Sequence, residues 1–317
     1  NSILAHVCCF LLLFLLFFTM KKLIVVAGPT AVGKTSVAIQ LAKQLGTVVV
    51  SCDSRQFFRE MNIGTAKPTA TELAQVQHYF IDSLSIFDPY TVGDFERECH
   101  VLLNGLYEKH DSVILCGGSG LYIKAVCEGL DHFPNIPSHI RPQLMDEWAK
   151  NGIAFLQDEL QRADPVAFAN IDTNNPHRLL RALEVCLATG KPYSSFLQQK
   201  SINSPIFEPV KIMLDLDREV LYNRINRRVD EMLKAGLLAE VEALLPHQQL
   251  NALQTVGYQE LFDYFNGKIS YDYAVELIKQ NSRRYAKRQL TWFRKDTSYR
   301  WFNPADVDKI LAYVQAE

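Results

Sequence analysis

Residues Gly28-Pro-Thr-Ala-Val-Gly-Lys-Thr35 spell G-x-x-x-x-G-K-[ST], a phosphate-cradling P-loop. The apolar run Leu23-Ile-Val-Val-Ala27 before it suits a buried parallel strand. The segment Ser36-Val-Ala-Ile-Gln-Leu-Ala-Lys-Gln-Leu45 after it sets Val37, Leu41 and Leu45 at helical spacing, with Gly46 as a stop. Strand, glycine loop and helix is the context the motif requires; without those flanks it would be an ordinary turn. The fold it predicts is α/β, a P-loop NTPase-like parallel sheet flanked by helices. Backbone N–H groups and the positive end of the helix close on phosphate oxygens. Lys34 adds a point charge, and Thr35 offers a hydroxyl ligand for Mg²⁺. The motif leaves open which molecule carries the phosphates and what reaction follows.

The alternation of elements continues outward. Thr47-Val-Val-Val-Ser-Cys52 reads as a second buried strand ending in Asp53-Ser-Arg-Gln56. Asn62-Ile-Gly-Thr-Ala-Lys-Pro68 is loop-like; residues 72–77 read as a helix and 78–81 as a short strand. Residues 94–109 form a helix with Phe95, Cys99, Leu102, Leu103 and Leu106 on one side, followed by strand 112–116, Gly117-Gly-Ser-Gly120 and a helix to Glu128. In a doubly wound sheet, ligands bind beyond the C-terminal strand ends, where the P-loop, Asp53 and Gly117–Gly120 all fall. From Pro134 the character changes. Pro134, Pro137 and Pro142 punctuate the chain and helices dominate from Ile140 to about Thr189, one of them opened by Asn175 and Pro176 and closed by Gly190. The domain reading is a P-loop core over 20–133 and 194–317 with a helical insertion domain over 134–193. Residues 210–215 return to the sheet as a strand, and helices follow to the end.

Bulk properties set limits. The chain has 317 residues, 48% of them hydrophobic, and a net charge of −2, so overall charge points to no polyanion partner. Seven scattered cysteines without a C-x-x-C pair argue for a reducing cytoplasm and against a zinc site or disulfide framework. The first nineteen residues are anomalous. Ile3 to Phe18 is almost wholly apolar, yet no Lys or Arg precedes it, no small-residue cleavage site follows, and Met20-Lys-Lys is a natural start for a cytosolic protein. Residues 1–19 are read as a non-native or upstream extension rather than an anchor, with no membrane partner expected on that reading.

Three features can carry chemistry. Asp53 closes a buried strand at the ligand edge, as a general base or Mg²⁺ ligand, or as a helix N-cap. On the helix 218–234, Arg228 lies beside the apolar stripe Leu221, Ile225, Val229 and Met232. An inward arginine needs an anion such as a diphosphate, unless its head reaches water. Arg224 and Arg227 read as solvated. Residues 283–300 interleave Arg283, Arg284, Lys287, Arg288, Arg294, Lys295 and Arg300 with Tyr285, Trp292, Phe293 and Tyr299. Such a run is either a solvated helix face or a surface for phosphates and unpaired bases.

Together these segments resemble the tRNA dimethylallyltransferase (tRNA isopentenyltransferase) family. The resemblance is carried by Gly28–Thr35, Ser51-Cys-Asp-Ser-Arg-Gln56, Asn62–Pro68, Gly117-Gly-Ser-Gly-Leu-Tyr122, Asn175-Pro-His-Arg-Leu-Leu-Arg-Ala-Leu-Glu184, Val256-Gly-Tyr258 and Ala286-Lys-Arg-Gln-Leu-Thr-Trp-Phe-Arg294. They run in family order from Met20 to about Phe302. The resemblance implies transfer of a dimethylallyl group from dimethylallyl diphosphate to N6 of the adenine 3′-adjacent to the anticodon in tRNA. It implies that Gly28, Pro29, Thr30, Ala31, Val32, Gly33, Lys34 and Thr35 hold the diphosphate, with Mg²⁺ on Thr35. Asp53 matches the general base, Ser119 stands where many members have threonine, and Arg228 matches a diphosphate-binding arginine. Contact with the tRNA anticodon stem-loop is implied for Asp53, Ser54, Arg55, Gln56, Ser119, Arg141, His177, Arg178, Leu179, Leu180, Arg181, Gln254, Thr255, Val256, Gly257, Tyr258 and Gln259. The basic-aromatic helix adds Arg284 and Arg288. Gly120, Gln254 and Gln259 depart from some bacterial members. Without a C-x₂-C…H…H finger the expectation is the bacterial form, a cytoplasmic monomer. The rival readings are a P-loop small-molecule kinase using ATP, a nucleic-acid-binding ATPase, and an adenylate isopentenyltransferase acting on AMP.

Overall fold

A computed structural model describes residues 20–197 and 206–317; the apolar stretch 1–19 lies outside the described residues. The described residues form two compact units, 20–127 with 206–317, and 128–197. The first is built on a six-stranded parallel sheet: β1 (Lys21–Ala27), β2 (Val49–Ser51), β3 (His78–Tyr79), β4 (Ser112–Gly117), β5 (Phe207–Leu214) and β6 (Arg300–Phe302), in the order β3-β2-β4-β1-β5-β6.

Side chains alternate along β1 with period two, and this sorts the core into two layers. Leu23, Val25 and Ala27 join Phe57, Phe95, Leu103, Leu115 and Phe293 on one face. Ile24 and Val26 join Val37, Leu41, Ile212, Leu221, Ile225 and Ile310 on the other. The first layer is roofed by α3 (Val92–Leu106) and α4 (Gly120–Glu128), the second by α1 (Lys34–Leu45), α8 (Arg218–Lys234) and α12 (Val307–Ala316). α11 (Tyr271–Phe293) supplies Ala286 to one layer and Phe293 to the other. Because every strand is parallel, the ends of β1, β2 and β4 open onto one edge, where the P-loop, Asp53 and Gly117–Gly120 lie. A third cluster packs α8 with α9 (Leu237–Leu244), α10 (Tyr258–Phe265) and α11 around Val229, Leu237, Leu253, Tyr258 and Ile278.

Several elements differ from the sequence reading. The helix at 72–77 is a single turn, α2 (Ala70–Leu73), set by a Thr69–Glu72 capping box. The strand at 78–81 stops at Tyr79, because Phe80 and Asp82 adopt positive φ (59° and 54°). Helices do not fill the C-terminal region: β6 pairs with β5 at the sheet edge. The helix 218–234 falls as expected, with the Asp217 carboxylate accepting from Glu219 N and Val220 N.

The second unit is helical. α5 (Ile140–Ala163) is broken at Gly152, where φ is +71°, and is followed by α6 (Pro165–Asn170) and α7 (Pro176–Thr189). Its own core holds Leu144, Leu156, Leu160, Leu179, Leu180 and Leu183. Asn175 caps α7 by accepting from His177 N, and Gly190 ends it at φ +66°. Across 128–204 this unit takes in the stretch read as an insertion at 134–193.

Candidate active site

The P-loop leaves β1 at Ala27 and enters α1 at Lys34. Its N-cap is Gly33, whose φ of 109° suits glycine, and no side chain caps the helix. The Gly33 N-cap therefore offers the first-turn N–H groups of α1 no side-chain acceptor. Lys34 reaches back, its Nζ donating to Pro29 O at 2.9 Å. Burial lowers its pKa against the opposing pull of Cys116 and Asp53, with Arg228 lowering it further. Thr30, Gly33, Lys34, Thr35, Ser51, Asp53, Gln56, Gly117, Arg228 and Gln289 line one cavity of about 250 Å³. Gly28 is packed so closely against Val32 and Leu214 that a Cβ would overlap them.

Arg228 comes from α8 and turns inward. Its Nη1 lies 3.3 Å from Thr30 Oγ1. Burial lowers its pKa, while Asp53 and Glu231 raise it. A guanidinium desolvated in this way favours an anion beside it. Asp53 sits between the two cations in the electrostatics, and its Oδ1 accepts from Arg55 N at 3.0 Å. Only turns follow Asp53 through Phe57, with no helix to cap, so that bond is a local Asx turn and the N-cap alternative for Asp53 does not hold.

The loop after β4 is tied to the same place. Ser119 Oγ accepts from Ser54 N at 3.2 Å and lies 3.4 Å from Ser54 Oγ. Gly120 leaves room for the Trp292 ring, which a Cβ would overlap. The sequence reading missed two residues. Gln289 Oε1 accepts from Thr30 N at 2.9 Å, and its Nε2 donates to Gly118 O at 2.9 Å, bridging the P-loop and the β4 loop. Arg224 is exposed, as expected, yet its Nη1 also donates to Val32 O at 3.2 Å. Gln289 could have been found as the polar member of the inward stripe Ala286, Gln289 and Phe293.

Around the mouth, Arg55 Nη1 donates to Asn251 O at 3.1 Å. Arg55, Thr255, Val256, Gly257 and Tyr285 line an adjoining cavity that also takes in Thr30, Ala31, Asp53 and Arg228. Burial, then Asp53, pushes the Tyr285 phenol up to about 12, against Arg55 and Arg288. Gln56 holds the 62–68 loop through Thr65 O and Ala66 O, both at 3.2 Å. Glu240 holds the same loop by accepting from Asn62 N, Ile63 N and Gly64 N. Gln254 and Gln259 are exposed and bonded to each other at 2.7 Å. Arg284 and Arg288 are exposed on α11, with Arg288 over the Tyr285 ring.

Three expectations for side chains are corrected, and a fourth is qualified. Tyr258 is wholly buried, its hydroxyl donating to Glu240 Oε1 at 2.7 Å, so its ring is core. Leu179 and Leu180 are buried in the helical core of the second unit and cannot present side chains to RNA. Phe293 and Tyr299 pack edge to face in the sheet core, where no base can stack on them. Arg141 and Arg181, expected to face RNA, converge on the buried Glu184 carboxylate at 2.7 and 3.6 Å, although both side chains keep nearly half their surface exposed. His177 and Arg178 are exposed in the first turn of α7.

Among the described residues no cluster of three or more His, Cys, Asp or Glu could hold a metal. Thr35, Ser51 and Asp53 nonetheless put oxygen donors on the P-loop cavity. Mg²⁺ keeps several waters and takes one or two carboxylates plus substrate phosphates, so this donor set fits it. No helix among the described residues is long and apolar enough to cross a membrane.

Residues 56–296 match the family described as IPP transferase. A tRNA dimethylallyltransferase of Flavobacterium psychrophilum is 49% identical over 305 residues, covering 94% of this chain and 99% of the relative. One from Christiangramia forsetii is 50% identical over 296 residues, covering 93% and 98%. The crystal structure of the tRNA isopentenylpyrophosphate transferase of Bacillus halodurans superposes with a TM-score of 0.70 at 37% identity, over 93% of this chain and 96% of that one. A eukaryotic dimethylallyltransferase acting on tRNA shares the fold at a TM-score of 0.76 and 24% identity, over 93% and 77%. With matches of this extent and identity, the chain belongs to the IPP transferase family.

Proposed function

We propose that this chain is a tRNA dimethylallyltransferase. It moves the dimethylallyl group of dimethylallyl diphosphate onto N6 of the adenine 3′-adjacent to the anticodon. The observation that carries the reading is the convergence of a P-loop, a half-buried, inward-turned Arg228 and the Asp53 carboxylate on one cavity. A kinase would need to deliver a γ-phosphoryl group there; a prenyltransferase needs only a diphosphate cradle beside a base.

The residues divide the work as follows. The P-loop N–H groups, Lys34 and Arg228 hold the diphosphate and stabilise the charge it gains as the C1–O bond breaks. Mg²⁺ held by Thr35 would neutralise part of that charge. The bond's electron pair leaves with the diphosphate, and the N6 lone pair forms the new bond to C1. An aromatic amine is a weak nucleophile, so position and proton removal both count. Asp53 takes the N6 proton, while Ser119, fixed by Ser54 N, borders the adenine. The adenine must leave the anticodon stack to reach this depth. Arg55, Thr255–Gly257, Arg284 and Arg288 border its path in the sheet unit. In the helical unit His177, Arg178 and the outer faces of Arg141 and Arg181 are available to phosphates. The reaction belongs in the cytoplasm, where tRNA is found, and needs no second subunit.

The test is labelled dimethylallyl diphosphate offered with tRNA, AMP or ATP. Label is expected in tRNA alone, and Asp53→Ala is expected to cut turnover about a hundredfold or more while tRNA still binds. Label entering AMP, or ATP hydrolysis without prenyl transfer, would remove the assignment. Near-normal turnover of Asp53→Ala would remove Asp53 from the base role.

A further inference from the structure

The cavity next to the P-loop cavity has a character of its own. The two share Thr30, Ala31, Asp53 and Arg228. Away from these four, the second cavity has an apolar wall of Ile225, Val229, Met232, Leu237, Val256 and Ile278, facing a polar side of Arg55, Thr65, Thr255, Ser282 and Tyr285. Ile225, Val229, Leu237 and Ile278 are core residues of α8, α9 and α11, so that wall is fixed by packing. Met232 is only partly buried. It also lines a wider, open cleft of about 430 Å³ together with Asn62, Ile63, Lys67 and Ala235. Two side chains, Arg228 at the diphosphate end and the flexible thioether of Met232 on the apolar wall, thus stand between this cavity and open space.

Size gives the cavity a meaning. It measures about 110 Å³. A dry apolar cavity of about 150 Å³ takes benzene, with six carbons. The smaller space suits five carbons and excludes ten. A diphosphate on the P-loop brings its ester carbon to Thr30, Asp53 and Arg228, and a tail continuing from that carbon runs into the apolar wall. We propose that this cavity receives the donor's hydrocarbon tail and that Met232 closes its far end, restricting the donor to a single isoprene unit. The inference rests on the donor assignment above.

Transfer to tRNA is measured with dimethylallyl and with geranyl diphosphate, the ten-carbon homologue. The parent protein is expected to discriminate strongly against geranyl diphosphate. Met232→Ala joins the cavity to the cleft and is expected to raise the geranyl-to-dimethylallyl ratio of kcat/KM by about tenfold or more. Met232→Phe narrows the cavity and is expected to lower kcat/KM for dimethylallyl diphosphate by about tenfold. An unchanged ratio in Met232→Ala overturns the gate. If that variant does not fold, the parent decides: geranyl diphosphate competing as tightly as dimethylallyl diphosphate overturns it equally. A parent that transfers neither group to tRNA sinks the donor assignment itself, and the gate with it.

Discussion

Gln289 is the polar member of the buried set Ala274, Ile278, Ala286, Gln289 and Phe293 on α11. Its amide satisfies Thr30 N on one side and Gly118 O on the other. Replacing it by leucine keeps the bulk and leaves both backbone groups without their partner, a loss of about 2 kcal/mol. It also frees the P-loop at Thr30, the residue Arg228 touches. Gln289→Leu is expected to lower the melting temperature and to weaken binding of inorganic diphosphate by about tenfold. Gln289→Glu, which keeps an acceptor for Thr30 N, is expected to retain more of the binding. Calorimetric titration of diphosphate checks both, and parental affinity in the leucine variant would deny the bridge its role. At this scale the sequence showed the P-loop, Asp53, Ser119 and Arg228, because each is tied to a motif or to a stripe with a chemical reading. It concealed Gln289 and Arg224, since their partners are backbone atoms 259 and 192 residues away. It also misplaced Leu179, Leu180 and Tyr258, whose segments match a binding motif while their side chains fill a core.

Elements with long periodicity were legible, and short ones were not. α3, α7 and α8 carry apolar stripes of three or more turns between clear caps, so their existence follows from the pattern, as do the limits of α7 and α8, whereas α3 runs Val92–Leu106 in place of the expected 94–109. β6 has three residues and one neighbour, too few for a period to register. The junction of α5 and α6 lies between these cases, and Asp164 fixes it. Its carboxylate accepts from Ala167 N at 2.9 Å, from Ser194 N at 2.6 Å and from Ser194 Oγ at 2.9 Å. Burial pushes this carboxyl up, but those hydrogen bonds outweigh it and hold the pKa below the ordinary 3.8. A depressed acid stabilises the fold above the unfolded-state pKa, and the contribution fades as pH falls through the folded value. Stability of the helical unit is thus expected to be undiminished by this group at neutral pH and to drop only below about pH 4. Asp164→Ala is expected to cost about 2 kcal/mol at pH 7 and to flatten that acid limb. Circular-dichroism melts from pH 7 down to pH 3 make the comparison, and an acid limb of the same steepness in both proteins would rule out Asp164 as its source.

Across the whole molecule the net charge is −2, so RNA is not attracted by a general positive field and must be held by local clusters. The fold decides which of the many basic residues are available. Lys211 is spent on Asp296, Lys279 on Asp230, and Arg283 on Asn226. Arg284 and Arg288 stay exposed on α11 beside Tyr285 and the cavity that contains Asp53. A charge count along the sequence could not separate these groups, because the partners sit on α8 and the loop after α11. If Arg284 and Arg288 each neutralise one RNA phosphate, each contributes about one unit to the salt slope of binding. The double variant Arg284→Ala, Arg288→Ala is expected to weaken binding of an anticodon stem-loop and to reduce the slope of log K against log salt by about two. The loss should be alike for loops of different sequence, as phosphate contacts carry no base information. Arg283→Ala, by contrast, is expected to lower thermal stability and leave the slope in place, since its guanidinium is committed to Asn226 within the fold. Filter binding from about 50 to 200 mM salt resolves slopes of this size. A double variant with the parent's slope would move the RNA footprint off α11 and onto other surfaces, among them the exposed His177 and Arg178 of the helical unit.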